Sequence, residues 1–202
     1  MLVRRQNGHS RFQRGFTLVE ALIALTITTL SASALLLAIE TGINGSDDAV
    51  DATIAAGLAD QLLDEVMNKR YMAPGAAPDQ WPLGPNSTET AGPGRSRYDD
   101  SDDYIAMTLS PPKDAFNKAL GEGDDEGALR HANFRLPAYV LKNWRQKIDV
   151  YYVDPSNTNQ RLTNGTVSKF RAVEVTVEQS VGTTWKTLAT RRRVYAYFPP
   201  PS

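Results

Sequence analysis

The stretch RGFTLVEALIAL, at residues 14–25, places a single glutamate inside a strongly apolar segment. Residues 16–39 contain one charged side chain, Glu20, and neither proline nor glycine. A helix of this length rises about 36 Å, which is enough to cross a hydrocarbon core of about 30 Å. A charge at the centre of a bilayer costs about 2.5–3.5 kcal/mol even on the lenient insertion scale, so Glu20 needs a specific explanation.

Charge is distributed unevenly along the 202 residues, although the net charge is only −1. The segment before the apolar run holds four arginines and no acid: Arg4, Arg5, Arg11 and Arg14. A chain that is basic only at its extreme N-terminus is not a nucleic-acid binder by bulk charge. The arginines are typical of a positive flank that stays on the cytoplasmic side of a membrane segment. With no cysteine, the sequence excludes disulfides, thiolate metal sites and a cysteine nucleophile.

Three interpretations of the apolar segment compete. A plain transmembrane anchor fits the length but leaves Glu20 unexplained. A signal peptide fits the basic start, and Ala32-Ser33-Ala34 offers an A-x-A-like cleavage site. This second interpretation must also tolerate Glu20 near the start of the apolar core, so neither accounts for the whole stretch.

The third interpretation uses all of GFTLVE, residues 15–20, which resembles the processing motif of type IV prepilins and type II secretion pseudopilins. The resemblance implies that a prepilin peptidase cuts between Gly15 and Phe16, so that residues 1–15 are a leader. It also implies that Phe16 becomes N-methylated. Such a protein waits in the inner membrane as a single-pass protein with a cytoplasmic N-terminus and a periplasmic head. It then joins a pilus or pseudopilus with other pilins or pseudopilins, through the inner-membrane assembly machinery.

This cut supplies a physical reason for Glu20. It creates an α-amine on Phe16, one helical turn before the carboxylate, and a carboxylate in the first turn faces the positive end of the helix dipole. The resemblance implies that Glu20 pairs with the N-terminal amine of a neighbouring subunit during assembly. The alternative is a carboxylate that only caps the start of its own helix.

Beyond the transmembrane and assembly helix at 16–41, the pattern predicts an amphipathic helix at 42–72. Gly42 and Gly45 predict a kink or a real break, with Ser46 or Asp47 as a new N-cap. The apolar stripe is expected at the i, i+4 series Ile54, Leu58, Leu62 and Val66, with Ala55, Ala59, Leu63 and Met67 beside it. This helix should pack on a head domain.

Residues 73–202 are expected to form a β-rich head with irregular loops. Alternation and strand propensity predict a short strand around 105–109, strands at 147–153 and 173–177, and a hairpin that continues through 185–198. The predicted fold is α+β, with a long N-terminal helix packed on an antiparallel sheet of three or four strands. Overall it resembles the type IV pilin fold. YDDSDDY, at residues 98–104, further resembles a signature of mannose-sensitive haemagglutinin-type minor pilins.

The carboxylates of that segment, Asp99, Asp100, Asp102 and Asp103, are the candidate ligands for Ca²⁺, which takes six to eight oxygens. A solvated or turn-forming acidic loop without metal is the expectation. His131 is expected at the surface or in packing rather than in catalysis, since no nucleophile motif or zinc-ligand spacing accompanies it.

Two further expectations concern the sheet. We expect the arginines at 191–193 to pair across strands with Glu174 or Glu178. The aromatic side chains of the head are expected to fill the interface between helix and sheet: Trp144, Tyr151, Tyr152, Trp185, Tyr195, Tyr197 and Phe198.

The sequence therefore predicts a structural subunit rather than an enzyme, without a resident cofactor. It is most similar to a minor pilin or minor pseudopilin. The alternative functions are a membrane-tethered extracytoplasmic binding module and a secreted protein cut near Ala34.

Overall fold

The computed structural model describes residues 16–137 and 139–199. The predicted leader and Gly15 lie outside this part of the chain. The chain divides into two compact units, Met1–Asp48 and Ala49–Ser202. The second unit carries the sheet.

The helix α1, Leu18–Met67, contains 50 residues and supplies the apolar segment of the first unit. Its hydroxyl side chains bond to backbone carbonyls within the helix: Thr29 Oγ1 donates to Leu25 at 3.0 Å, and Ser31 Oγ donates to Ile27 at 2.8 Å. A polar group in hydrocarbon must find its partner inside the protein, so these bonds make the residues compatible with an apolar surrounding. Among the described residues, α1 is the one helix long and apolar enough to cross a membrane.

Of the predicted alternatives, the real break with a new N-cap is wrong, because α1 continues through Gly42, Gly45, Ser46 and Asp47 without interruption, and the kink stays a prediction. A glycine costs about 1 kcal/mol relative to alanine in a helix interior. Once a helix is nucleated, however, each added residue closes another backbone hydrogen bond. The helical residues on both sides therefore outweigh two isolated glycines.

In the second unit, the buried residues of α1 all belong to the predicted apolar stripe, and its larger residues at one edge are less covered. The fully buried residues are Ala55, Ala59, Leu62, Leu63 and Val66, whereas Ile54 stays 36 % exposed and Leu58 is half-buried. The small alanines allow the sheet to approach the helix closely. The two larger residues lie at the edge of the contact and remain available to a loop.

The described part of the head contains five β-strands and three short helical segments. Two of these segments precede β1, and the third follows it. The strands are β1 (Met107–Leu109), β2 (Trp144–Asp154), β3 (Asn157–Arg161), β4 (Phe170–Val181) and β5 (Thr184–Ala196). The short helical segments are α2 (Ser87–Thr90) and the 3-10 turns Asp102–Tyr104 and Ala132–Phe134.

All pairings in the sheet are antiparallel, in the order β1-β2-β4-β5, and β3 pairs with β2. Sequence patterns miss β3 because all five of its side chains are exposed and polar or charged. The predicted hairpin of β4 and β5 is confirmed, and Gly182 in its turn adopts a φ of 63°. The predicted α+β class is also confirmed.

One face of the sheet packs on α1. Val173, Val175 and Val177 of β4 are fully buried, and Val150 and Ile148 of β2 lie opposite the first two in the register. Burial of such side chains stabilises the fold by about 1.5–3 kcal/mol each. The period of two that predicted these strands therefore describes a real division between a core face and an outer face.

The aromatic and arginine predictions are only partly correct. Trp144 and Tyr152 are buried, but Trp185 and Phe198 are exposed, so not all aromatic residues fill the interface.

Arg191 and Arg193 pair with α1 rather than with Glu174 or Glu178. They contact Asp60 at 2.9 Å and Asp64 at 3.1 Å. The register places Arg191 opposite Val175, on the side of the sheet that faces the helix. The two arginines therefore reach the acids of α1, and Glu178 pairs instead with Arg145 of β2.

Candidate functional site

The start of α1 is closed by a reciprocal pair of hydrogen bonds. The Glu20 carboxylate accepts from the backbone nitrogen of Thr17 at 3.2 Å and from its hydroxyl at 3.1 Å, and Thr17 Oγ1 accepts from the Glu20 nitrogen at 3.2 Å. This is the capping box that T-x-x-E predicts at a helix start. The capping alternative for Glu20 therefore has direct structural support, while pairing with a neighbouring amine stays a prediction.

The first unit leaves its apolar side chains uncovered. Leu18 is 79 % exposed, and Leu30, Leu35 and Leu36 are each more than half exposed. Soluble monomers rarely expose contiguous apolar surface on this scale, and such surface marks contact with a membrane or another protein. The helix requires lipid or other helices around it.

The acidic segment at 98–104 lies inside the head rather than in solvent. It forms the 3-10 turn Asp102–Tyr104, which agrees with the predicted turn. Asp100, Asp102 and Asp103 are all buried, however, and only Asp99 is exposed. The expectation of a solvated loop is therefore wrong for three of the four carboxylates, because the turn is packed under β4, β5 and the loop after α1.

Asp102 forms a buried ion pair with Arg171 of β4. Arg171 Nη1 lies 2.9 Å from Asp102 Oδ1, and the side chains are 0 % and 1 % exposed. The guanidinium also donates to the Tyr152 hydroxyl at 3.1 Å and lies 4.3 Å from the centre of the Tyr71 ring. Asp102 Oδ2 accepts from Gln80 at 2.8 Å and from the Gly84 nitrogen at 3.2 Å. Both partners are thus held by several other groups, as a buried charge pair requires.

The pair of Arg171 and Asp102 was not predicted, although the sequence contains a signal for it. Arg171 has the same parity along β4 as Val173 and Val175, which face the core. An arginine on the core side of a strand needs a buried acid, and YDDSDDY is one of two segments of the head that hold four acids in seven residues.

A second ion pair fixes the turn to α1. Arg95, itself buried, donates to both oxygens of Glu65 at 2.8 Å, and the Tyr104 hydroxyl donates to Glu65 Oε1 at 3.0 Å. A bidentate arginine–carboxylate pair fixes geometry as well as charge. The end of α1 and the acidic turn therefore have one defined relative position within the head.

Two other carboxylates of the acidic segment, Asp99 and Asp103, lie close to Glu89, a residue that the sequence-based prediction did not include. Glu89, Asp99 and Asp103 place one carboxylate oxygen each within 4.8 Å of one another. Asp103 Oδ2 accepts from the Asp99 nitrogen at 3.0 Å, and Asp100 Oδ1 accepts from the Asp102 nitrogen at 2.9 Å. The structure thus brings Asp99 and Asp103 together with Glu89 and turns Asp102 toward Arg171. Calcium takes six to eight oxygens, and Ca²⁺ binding at these carboxylates stays the alternative to the expected metal-free loop.

Crowding of these carboxylates changes their acidity. Burial raises the pKa of Asp100 from 3.8 to about 8, and the adjacent Asp102 carboxylate adds to the rise. Burial also raises the pKa of Asp103 to about 7, and Glu89 contributes to that increase. Near neutral pH, these groups take up protons that ordinary aspartates have lost.

His131 lies at the surface, as expected. Its Nδ1 accepts from the Asn133 nitrogen at 3.4 Å, and its ring contacts Phe134 edge-on with centroids 6.2 Å apart. The histidine therefore caps the 3-10 turn Ala132–Phe134.

Comparison with known proteins identifies the N-terminal segment. A family model described as the prokaryotic N-terminal methylation motif matches residues 10–36. No curated protein and no solved structure matches the chain. The chain therefore carries a type IV prepilin-like signal, and its long apolar helix with an antiparallel sheet is consistent with a type IV pilin-like fold. The finer resemblance to mannose-sensitive haemagglutinin-type minor pilins stays a prediction.

The raised pKa values of Asp100 and Asp103 predict that the head loses stability as pH rises. Because folded Asp100 and Asp103 hold their protons more tightly than the unfolded chain does, the folded state binds more protons between about pH 4 and about pH 8. Stability should be greatest below this window and fall through it, by at least about 1 kcal/mol, or about 2–4 °C in Tm. Thermal unfolding of the full chain in detergent and EDTA measures the slope. Asp100→Asn should flatten it and Glu126→Gln should not; equal slopes in all three proteins would contradict the assignment.

The buried ion pair predicts that an arginine-to-methionine substitution lowers the free energy of unfolding much more at residue 171 than at residue 193. Arg171→Met leaves Asp102 buried without its counter-charge and should cost about 3–5 kcal/mol. Arg193→Met removes a half-exposed pair with Asp64 and should cost about 1 kcal/mol or less. Denaturant unfolding of the full chain, followed by circular dichroism, compares them. Similar losses in the two variants would show that the Arg171 pair contributes no more than a surface pair.

Proposed function

We propose that this protein is a minor pilin or minor pseudopilin, a structural subunit of a type IV pilus or a type II secretion pseudopilus. The observation that carries the proposal is the methylation motif at residues 10–36, which includes the start of the exposed apolar helix. A pilin-like precursor of this kind is a structural subunit rather than an enzyme. Its irregular head with long loops favours a minor subunit over the main repeating one.

The motif indicates how the precursor is processed. A prepilin peptidase removes residues 1–15 by cutting after Gly15 and methylates the new N-terminus at Phe16. Phe16 is 79 % exposed and lies two residues before the start of α1. The protein then stands in the inner membrane with its head in the periplasm, and the assembly machinery transfers it into the filament beside other pilins or pseudopilins.

In this proposal, Glu20 exchanges partners during assembly. In the single chain, its carboxylate is held by Thr17. The α-amine of a neighbouring Phe16 is a stronger partner in a low-dielectric surrounding, because it carries a full positive charge. A buried carboxylate without a counter-charge is strongly penalised, so this pairing sets the position of one helix along the next.

Processing can be tested by N-terminal mass spectrometry on protein from cells with an active prepilin peptidase. The expected first residue is Phe16, heavier by one methyl group. A Gly15→Leu variant should keep residues 1–15, because a bulky side chain replaces the small residue at the cleavage site. A first residue at Leu35 would instead support the secreted protein, and a wild-type chain that retains its first fifteen residues would contradict the proposal.

The role of Glu20 can be separated from helix capping with three variants. Glu20→Gln keeps an oxygen that accepts from Thr17 but loses the charge, Glu20→Ala loses both, and Thr17→Val loses only the hydroxyl. If Glu20 docks on an amine, both Glu20 variants should enter filaments at least tenfold less than wild type, since an interaction of about 1.4 kcal/mol already gives that factor. Thr17→Val should assemble nearly normally.

The measurement is immunoblotting of sheared filaments against processed protein in the membrane, which corrects for any loss of processing. Normal incorporation of Glu20→Gln would leave capping as the role of this carboxylate. It would not affect the assignment as a filament subunit, which rests on processing and incorporation of the wild-type chain.

A further inference from the structure

An asparagine followed by a glycine occurs three times in the chain, at residues 7–8, 44–45 and 164–165. The first pair belongs to the predicted leader and lies outside the described residues. In such a pair the backbone nitrogen of the glycine attacks the asparagine side chain readily, because glycine has no Cβ to crowd the approach. The other two pairs share this local chemistry, so their surroundings in the folded chain decide which of them reacts.

The pair of Asn44 and Gly45 lies inside α1, where the backbone hydrogen bonds of the helix hold both residues. In an α-helix each backbone N–H donates to the carbonyl four residues earlier, which for Gly45 is the carbonyl of Thr41. The Gly45 nitrogen is therefore directed along the helix and away from the side chain of its neighbour. Although Asn44 is exposed, its amide can be attacked only after the helix opens locally.

The pair of Asn164 and Gly165 lies in an exposed turn between β3 and β4. The Thr166 N–H donates to the Thr163 carbonyl at 2.9 Å, and Gly165 has a φ of 88°, as in a type II turn with glycine at its third position. The bond that closes this turn uses the N–H of its fourth residue. The peptide group between Asn164 and Gly165 can therefore rotate without opening the turn, since type I and type II turns differ in that rotation.

Both ends of the loop that carries this turn are fixed to β2. The Leu162 N–H donates to the Tyr152 carbonyl at 2.9 Å, and the Ser168 hydroxyl donates to the Val153 carbonyl at 2.8 Å. The Leu162 side chain also packs against the core. A covalent change at Asn164 is therefore confined to the exposed turn, and the head keeps its fold.

We propose that Asn164 is a site of spontaneous deamidation in the folded protein, with water as the co-reactant. The Gly165 nitrogen loses its proton and forms a bond to Asn164 Cγ, the bond from Cγ to Nδ2 breaks, and ammonia leaves with that proton. Water then opens the cyclic imide at one of its two carbonyl carbons, which leaves a carboxyl group as aspartate or isoaspartate. Either product adds a negative charge to the turn, and isoaspartate also adds one methylene to the main chain.

The reaction does not depend on the proposed function, because the turn belongs to the head alone. The test compares both pairs in one molecule, the full chain in lipid nanodiscs, aged in mildly alkaline water enriched in heavy oxygen. Trypsin cleaves after Arg161 and Lys169, so the peptide at 162–169 contains Asn164 and no other asparagine. A protease that cuts after acidic residues releases the peptide with Asn44. Mass spectrometry then measures the heavy carboxylate that forms at each site.

Each rate is divided by the rate in a short synthetic peptide of the same sequence, which cannot hold a stable helix. This relative rate should be at least about tenfold higher at Asn164 than at Asn44, because reaction at Asn44 waits for the helix to open. Equal relative rates at the two asparagines would overturn the proposal.

Two variants at the exposed site locate the product independently. Aged wild-type protein should gain a more acidic species on ion exchange, with the charge of the Asn164→Asp variant. Asn164→Gln is the matched control, since its longer side chain would have to close a larger ring, and it should lose most of that species after the same ageing. Unfolding curves confirm that both variants are folded before ageing. An acidic species that persists undiminished in aged Asn164→Gln would place the reaction elsewhere and overturn the assignment.

Discussion

The head depends on one buried charge pair. Arg171 in the middle of the core and Asp102 in the acidic turn neutralise each other, and neither is accessible to water. The same guanidinium bonds to the Tyr71 carbonyl after α1 and to Tyr152 on β2, so one side chain connects the end of the helix, the turn and two strands. A pair of this kind adds little stability over an apolar core, but a fold that separates the partners leaves two uncompensated charges. It therefore selects one arrangement of the head.

This constraint explains the crowding of acids around it. To deliver Asp102 to Arg171, the chain buries the whole turn, and Asp100 and Asp103 are buried with it. Their pKa values rise because water no longer solvates their charges. Glu65 and Arg95 form a separate pair that fixes the same turn to α1. Burying these acids in one defined arrangement of the head thus costs free energy near neutral pH. The apolar contacts between α1 and the sheet offset this cost.

The helix α1 exposes apolar side chains in the first unit and buries apolar side chains in the second. In the first unit the described apolar side chains are exposed, and hydroxyl groups donate to the helix backbone. In the second unit the helix buries only its small and medium residues against the sheet. Ile54 and Leu58 are left for the loop, where they line a pocket with Asp114. In the proposed function, the exposed apolar surface of the first unit serves assembly into a filament.

The sequence by itself determined the apolar helix, the methylation motif, the strands with a period of two and the α+β class, because each depends on local spacing. Local patterns also contained the capping box of Thr17 and Glu20. Only the tertiary structure decided that Asp102 is buried against Arg171, and that Arg191 and Arg193 reach the helix. It also revealed β3, whose polar side chains carry no signal of burial. These features join residues far apart in the chain, as Asp102 and Arg171 are, and the energy of a charge depends on what surrounds it after folding.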